Sequence, residues 1–236
     1  MKQTMTRFYK TATPVPTDKG FAVNLDARPI RTPHCRTPLV VPSKALADAI
    51  TAEWNAQEDT IDPHSMPLTA LANTALDLDE RRADLEETLA QCTETDLLCH
   101  WAPGPEELTR RQQTLWQPLL DWVALSYDAR LNTTTGILPA PQPPDACHAL
   151  TDAVRGHDRF RLAALSSAVA ATNSVVIGLA VLTQRVDAET AFEATEVEAT
   201  YEIQQWGADA DATKRRQRVH DDLMAVERFL TALDKT

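Results

Sequence analysis

Glycine is scarce in this chain, and its scarcity excludes the commonest phosphate-binding loops. The 236 residues include only six glycines, and they lie far apart: Gly20, Gly104, Gly136, Gly156, Gly178 and Gly207. A loop that wraps around phosphate needs closely spaced residues that permit positive φ and close backbone approach. Neither a Walker A loop nor a dinucleotide-binding fingerprint can be written anywhere in the sequence. The composition excludes P-loop ATP hydrolysis and leaves other nucleotide-binding folds open.

Positive charge is also in short supply. The chain has 23 Lys and Arg residues against 34 Asp and Glu residues, which gives a formal net charge of −11. Proteins bind the phosphate backbone mainly through Lys and Arg that displace counterions, so nucleic acid is not an expected partner. Acidity of this kind gives solubility and could also suit a basic protein surface. The 43% hydrophobic and 24% charged residues are an ordinary globular composition, with enough length for a sizeable core.

Cysteines are few, and their spacing does not favour a metal or redox site. Three of the four stand next to a histidine, as His34-Cys35, Cys99-His100 and Cys147-His148, while Cys92 stands apart. Neighbouring side chains diverge on a helix or a strand, whereas zinc ligands usually lie two to four residues apart. We therefore expect no metal, no cofactor and no catalytic cysteine.

The start of the chain offers no apolar secretory core, and a strand-like run over residues 7–10 begins almost at once. Dispersed cysteines and no leader predict a cytoplasmic protein with reduced thiols. The early start of that run also leaves no room for a long mitochondrial presequence. We therefore expect a bacterial or an already processed protein.

One long uncharged run covers residues 162–182, which is about the length of a membrane span. Thr172, Asn173 and Ser174 interrupt it, and Ser174 is well placed to cap a second helix that begins at Val175. The interruption predicts two buried helices and no stable membrane insertion. A membrane-anchored helical protein remains an alternative that fractionation would test.

The hairpin and strand patterns lie near the start of the chain. Residues 21–26 alternate apolar and polar side chains, and a two-residue step at Ala27-Arg28 leads to a second run at 30–32, which is a hairpin pattern. Residues 39–41 form a third run. Ser43 is then the predicted cap of a helix over residues 44–57, which has one solvent-exposed face.

Helices dominate the remainder. After the joint at Met66-Pro67 an apolar stripe follows with helical spacing, and Pro103, Gly104 and Pro105 precede a long helix, which Pro118 is expected to kink or divide. An extended run is predicted over residues 131–138. The further predicted helices cover residues 145–155, 159–171, 175–184, 188–205 and 209–233. The fold class is therefore α+β, with a β-containing N-terminal domain over residues 1–62 and a larger, mainly α-helical domain over residues 63–236.

The candidate site residues lie in the helix over 188–205. It carries five acids, Glu189, Glu193, Glu196, Glu198 and Glu202, and a charge-rich helix face usually remains solvated. Near its end, however, one acid occurs with aromatic and amide groups: Glu198, Tyr201, Gln204, Trp206 and Gly207. Tyr and Trp are frequent anchors of protein interfaces, and equally often core residues whose polar tip reaches a hydrogen-bond partner.

Six segments, in this order along the chain, resemble the ATP12 family: residues 25–33, Ala52-Glu53-Trp54, the Met66-Pro67-Leu68 joint with residues 72–75, residues 95–99, residues 118–122, and Gln205-Trp206-Gly207. Members are assembly chaperones of the F1 part of ATP synthase. The resemblance spans nearly the whole chain. It implies a non-enzymatic protein that binds the unassembled F1 α subunit, prevents its aggregation and releases it when it joins β.

The resemblance also implies a functional residue and the cellular compartment in which relatives act. The functionally important acid of the family falls on Glu198, where members carry an acidic pair and this chain has Ala199 second, so one carboxylate must suffice. Ala27 stands where the family has a glycine in the first hairpin, so a different turn is expected there. Relatives in eukaryotes act in the mitochondrial matrix. The alternative function is a small cytosolic hydrolase or transferase with a site at the domain junction. The oligomeric state is left open.

Overall fold

The computed structural model describes residues 5–136 and 138–235, and of Glu80 only the backbone. The protein is α+β, as predicted, and every strand of the described residues lies between residues 5 and 61. The strands are β1 Met5–Thr6, β2 Ala12–Thr17, β3 Gly20–Leu25, β4 Arg28–Pro29, β5 Val40–Val41 and β6 Thr60–Ile61. The helices are α1 Lys44–Asn55, α2 Pro67–Leu76, α3 Arg82–Glu94, α4 Glu106–Ser126, α5 Pro144–Arg155, α6 Arg159–Thr172, α7 Val175–Leu182, α8 Ala188–Thr195, α9 Val197–Trp206 and α10 Ala210–Asp234.

An antiparallel sheet of four strands is centred on β3, which pairs with β2, β4 and β5, and α1 packs against β2 and β3. The predicted hairpin is present, but its two-residue turn is Asp26-Ala27 and not Ala27-Arg28, because Leu25 pairs with Arg28. Asp26 takes the positive φ of the turn, 53°. Aspartate tolerates this conformation better than alanine does, which explains how the hairpin closes without a glycine.

Strand β2 was not predicted from the sequence. It contains Pro14 and Pro16, and proline is depleted in strands because it cannot donate to the hydrogen-bond ladder. The strand lies at the edge of its sheet, where a missing donor is tolerated. At residues 7–10 the predicted strand-like run was wrong, since the N-terminal strand is Met5–Thr6, paired with β6.

Helix starts follow their predicted caps where the cap is local. The Ser43 hydroxyl accepts a hydrogen bond from the backbone N–H of Leu46 at 3.1 Å, at the start of α1. Helix α2 has no such local cap and uses a distant one. The carboxylate of Glu53, buried on α1, accepts from the backbone N–H groups of Leu68 and Thr69 at 2.7 and 2.8 Å. A carboxylate at this position also complements the positive end of the helix dipole.

The uncharged run over residues 162–182 forms two helices, α6 and α7, as predicted. Asn173 breaks them with a φ of 52°, and Ser174 caps α7 through the backbone N–H of Ile177 at 3.0 Å. The fully buried Asp96 accepts from the hydroxyl of Ser174 at 2.7 Å and from the backbone N–H of Val176 at 3.1 Å. Across the part of the chain that the structure describes, none of the helices has both the length and the apolarity needed to cross a bilayer.

The helix predicted over residues 188–205 is in fact two helices, α8 and α9, separated at Glu196. Glu196 is 2% exposed and accepts from Arg215 and Arg216 at 3.1 and 3.0 Å. Arg216 also donates to the backbone carbonyl of Glu196 at 3.3 Å, where the helical pattern is interrupted. The arginines come from α10, so a pattern confined to residues 188–205 carries no signal of this break.

Two other predicted features resolve differently. Helix α4 continues through Pro118 without division. In place of the extended run predicted over residues 131–138, the described residues show one isolated bridge between His100 and Thr134, and Ile137 lies outside the described residues.

Contacts divide the chain into two compact units. The described residues of the first fall within Met1–Arg81, Arg159–Ala164 and Arg228–Thr236, and those of the second within Arg82–Asp158 and Leu165–Glu227. The first contains the sheet, α1 and α2, and the second contains α3, α4, α5, α7, α8 and α9 whole. The domain boundary between residues 62 and 63 stays a prediction, because a compact unit defined by contacts need not be an independently folding domain.

Candidate functional site

Three of the five predicted site residues share one face of α9. Glu198, Tyr201 and Gln204 are spaced by three residues, which places them above one another on a helix. Helix α9 packs against α4 within the second unit, and Tyr201 is only 9% exposed. Tyr201 therefore has little surface to offer a partner, and its ring belongs to the packed side of the site.

The carboxylate of Glu198 is half-buried and held by α4. Its Oε1 accepts a hydrogen bond from Nε2 of Gln112 at 2.7 Å, and Gln112 is completely buried. Burial raises the pKa of the Glu198 carboxyl, and the nearby Glu202 raises it further. The hydrogen bond from Gln112 and the proximity of His100 act in the opposite direction on this pKa. The pKa of Glu198 is thus set by its burial and by these three neighbours.

The neighbouring residue on α4, Arg111, holds the other end of this face. Its guanidinium donates to Oε1 of Gln204 at 2.7 Å and lies 5.4 Å from the centroid of the Tyr201 ring. It also pairs with Glu107, one turn earlier on α4. A cation over an aromatic ring and a charged hydrogen bond both favour this arrangement. Arg111 and Gln112 together fix the predicted site from the opposite helix.

Sequence reasoning missed Arg111 and Gln112. They lie 93 residues before Gln204 and 86 residues before Glu198, respectively. In sequence they are two polar residues in a long amphipathic helix, where an exposed position is the usual expectation. A clue was present in the pattern: Leu108, Gln112, Trp116, Leu119 and Val123 follow one stripe of α4, and all are buried.

Trp206 and Gly207 form the exposed end of the site. Trp206 is 77% exposed, although tryptophan usually buries a large apolar area. Gly207 ends α9 with a φ of +87°, a conformation that favours glycine, and a Cβ built there would meet no atom within 4 Å. The space beside Gly207, which directly follows Trp206, is therefore open. The five predicted residues divide into a supported half, Glu198, Tyr201 and Gln204, and a presented half, Trp206 and Gly207.

The alternative, enzymatic function would need a metal site or a reactive side chain. The described residues contain no cluster of three or more His, Cys, Asp or Glu side chains that could hold a metal ion. Burial, with Asp96 and Cys147 adding to it, raises the pKa of the Cys99 thiol to about 12. Burial also raises the thiol pKa values of Cys92 and Cys147. A reactive cysteine needs a lowered pKa, so these three thiols are in the unreactive form at neutral pH.

Comparison with known proteins identifies relatives over most of the chain. A sequence model of the family described as ATP12 chaperone protein matches residues 6–124. A curated relative named protein atp12, mitochondrial, from Schizosaccharomyces pombe is 26% identical over 223 residues, covering 87% of this chain and 75% of the relative.

Solved structures extend the similarity to the fold. The crystal structure of Atp12 from Paracoccus denitrificans is 36% identical, covers 97% of this chain and 98% of its own, and superposes with a TM-score of 0.89. A protein from Agrobacterium tumefaciens, named as a candidate chaperone, is 33% identical with a TM-score of 0.90, covering 99% of this chain and 88% of its own. The N-terminal strands and the helical remainder both lie within these matches.

Proposed function

This chain belongs to the ATP12 family of chaperone proteins, and we propose that it assists assembly of F1 ATP synthase by binding the unassembled α subunit until that subunit joins β. The family places the chain among chaperones. The α subunit as client and the bacterial cytoplasm as the place of action are part of the proposal; the family resemblance and the similarity to Atp12 from a bacterium support them. ATP hydrolysis by a P-loop is not required. Passive capture needs only that the chaperone binds the apolar surface of unassembled α and that β binds α more favourably.

One observation carries the proposed binding face: an exposed tryptophan lies at the end of the helix that holds a half-buried, oriented carboxylate. Trp206 is 77% exposed and Glu198 accepts a hydrogen bond from buried Gln112. Interfaces commonly combine an aromatic anchor with a few fixed polar groups. Apolar area covered by the client would supply attraction at roughly 25 cal/mol per Å². Glu198 would set the orientation by accepting from a basic or backbone donor of the client.

The same face explains how the client could leave. A capture surface limited to an indole and one carboxylate is small compared with the interface between permanent subunits. When β offers a larger complementary surface, exchange becomes favourable without any chemical step on the chaperone. The mechanism therefore needs no catalytic group in this chain.

Charge reversal at Glu198 tests the proposal. Glu198→Lys should weaken capture of F1 α in a pull-down with purified proteins by about tenfold or more, because it places a cation where a donor of the client is received. Glu193→Lys, on an exposed position of α8, is the matched control with the same change of net charge. Urea unfolding of both variants checks that each retains its fold. Equal capture by the Glu198→Lys variant and the control would exclude Glu198 from the binding face.

A further inference from the structure

The amide of Gln112 is the most constrained polar group beside the candidate site. Gln112 has no exposed surface, and both ends of its amide are used. Its Oε1 accepts from the backbone N–H of Ala102 at 3.0 Å, and its Nε2 donates to Oε1 of Glu198 at 2.7 Å. A backbone N–H can bond only to the oxygen of the amide, so the nitrogen must face Glu198. The loop at Ala102 therefore determines which end of the amide the carboxylate meets.

The oxygen of Glu198 that faces Gln112 has to accept a hydrogen bond. In the ionised carboxylate, either oxygen can do so. Among the described residues, the other oxygen, Oε2, has no hydrogen-bond partner in the protein. One oxygen of Glu198 is thus anchored and the second is available at a half-buried position. Glu202 and His100 are the other titratable groups that act on this carboxyl.

We propose that Gln112 is a positioning residue for client capture, whose buried amide fixes Glu198 so that its second oxygen faces the incoming subunit. This inference rests on the proposed function and assigns a role to a residue outside the predicted site. The client group that fits is a hydrogen-bond donor, a guanidinium, an ammonium or a backbone N–H. Arg111 has a parallel position on α4 but holds Gln204 and Tyr201, whereas Gln112 donates the hydrogen bond from α4 to the acid.

Two substitutions separate the two bonds of the amide. Gln112→Met is close in shape and removes both bonds, whereas Gln112→Glu keeps an acceptor for the Ala102 N–H and replaces only the donor that faces Glu198. Gln117→Met, at an exposed position of the same helix where the side chain bonds only to Asp121, is the matched control. Urea unfolding of each variant reports any loss of fold.

Capture of purified F1 α by the Gln112→Met variant should be about tenfold weaker, because a hydrogen bond to a charged group contributes roughly this factor. The double variant Gln112→Met with Glu198→Gln should bind no more weakly than Glu198→Gln alone, since residues that act through one group are not additive. Wild-type affinity of Gln112→Met, or additive losses in the double variant, would overturn the role of Gln112.

A pH series adds a signature that general destabilisation does not produce. Wild-type capture should decline towards acid as Glu198 takes up a proton. Capture by the Gln112→Glu variant should instead improve over the first part of that range, since one proton shared between the two carboxyls restores a donor. Parallel decline of both proteins would contradict the proposal.

A measurement without the client distinguishes failure of this inference from failure of the proposed function. Carboxyl NMR of the free protein should show a higher pKa of Glu198 in the Gln112→Met variant than in the wild type, because the hydrogen bond that favours the charged form is gone. If the wild type did not capture F1 α, the client assignment would fall; if Glu198→Lys left capture intact, Glu198 would lie outside the binding face. In either case the NMR titration would still decide whether Gln112 holds the carboxylate. An unchanged pKa of Glu198 would overturn the positioning role.

Discussion

Asp26 shows how a single acid closes the first hairpin. It takes the positive φ of the turn, and its Oδ1 accepts from the backbone N–H groups of Lys10 and Thr11 at 3.1 and 3.0 Å. These backbone hydrogen bonds, that from Thr11 first, lower the pKa of the Asp26 carboxyl below its ordinary value. An acid with a lowered folded-state pKa contributes stability above its unfolded-state pKa, and the contribution is lost as the pH falls through the folded-state pKa.

Substitution of Asp26 by asparagine should therefore flatten the acid side of the stability profile. Asn tolerates positive φ and keeps the shape of the side chain, so Asp26→Asn isolates the charge. Urea unfolding between pH 7 and pH 3 should show a smaller loss of unfolding free energy for this variant than for the wild type. Asp26→Ala serves for comparison, because it should also be less stable at neutral pH through the strained turn. Identical profiles of wild type and Asp26→Asn would show that the carboxylate is not coupled to folding.

Residues whose partners are close in sequence could be predicted, and those with distant partners could not. Ser43 and Ser174 were identified as caps because the rule involves only the next three residues. Glu53 caps α2 from 15 residues away, so no local pattern reveals it. The turn at Asp26 was misplaced by one residue because Asp, Ala and Arg can each occupy a turn position. Only the pairing of Leu25 with Arg28 determines which two residues form the turn.

At the scale of helices, the close approach of α6 and α7 depends on Gly178. A Cβ built on this residue would lie 2.8 Å from Cγ2 of Val169 and 3.0 Å from Cδ1 of Leu165. Both neighbours are buried, so neither can move without disturbing the core. The absence of a side chain here is what permits the apolar run of residues 162–182 to fold back on itself as two packed helices.

Gly178→Ala should destabilise the protein by about 1–3 kcal/mol through overpacking, although alanine is the better helix former. Gly156→Ala is the matched control, because φ at Gly156 is −67° and the nearest atoms to an added Cβ are 3.5 Å away. That control should be neutral or slightly stabilising in urea unfolding. A Gly178→Ala variant as stable as the control would show that α6 and α7 can separate without cost.

The elements were predictable from the sequence to the extent that one helix or strand specifies itself. Helices α1, α5, α6 and α7 were expected close to their observed ranges because caps, prolines and apolar stripes coincide there. Strand β2 was missed, since two prolines hide a strand whose edge position makes them harmless. The division of α8 from α9 was missed because Arg215 and Arg216 of α10, the residues that hold Glu196 at the break, follow it by about 20 positions.

At the scale of the whole molecule, the candidate site combines what the sequence could and could not show. The identity of Glu198, Tyr201, Gln204, Trp206 and Gly207 as a group came from family resemblance and helix position. Their division into a supported half and an exposed half depends on packing against α4, which brings Arg111 and Gln112 to the same place. Periodicity indicates which residues share a face, but it does not indicate which helix covers that face.

Trp206 is the exposed side chain of the site on which capture of the client is expected to depend. Exposed large apolar residues in the described chain include Trp206 at 77% and Leu125 at 83%, and only Trp206 belongs to the predicted site. Trp206→Ser should lower the affinity for F1 α by about tenfold or more, since tryptophan is the residue most enriched among dominant interface contacts. Its unfolding free energy should change little, because the side chain is mostly in water already.

Leu125→Ser is the control for Trp206→Ser, because it removes an equally exposed apolar side chain from α4. If capture were a general property of apolar surface, the two variants would lose affinity together. If the binding face is the end of α9, only Trp206→Ser weakens capture, and combining it with Glu198→Lys reduces residual binding further. Titration calorimetry with purified α would separate these cases, since burial of the indole gives a negative heat-capacity change that the Trp206→Ser variant should diminish. Equal heat-capacity changes for wild type and Trp206→Ser would place the client elsewhere on the chaperone.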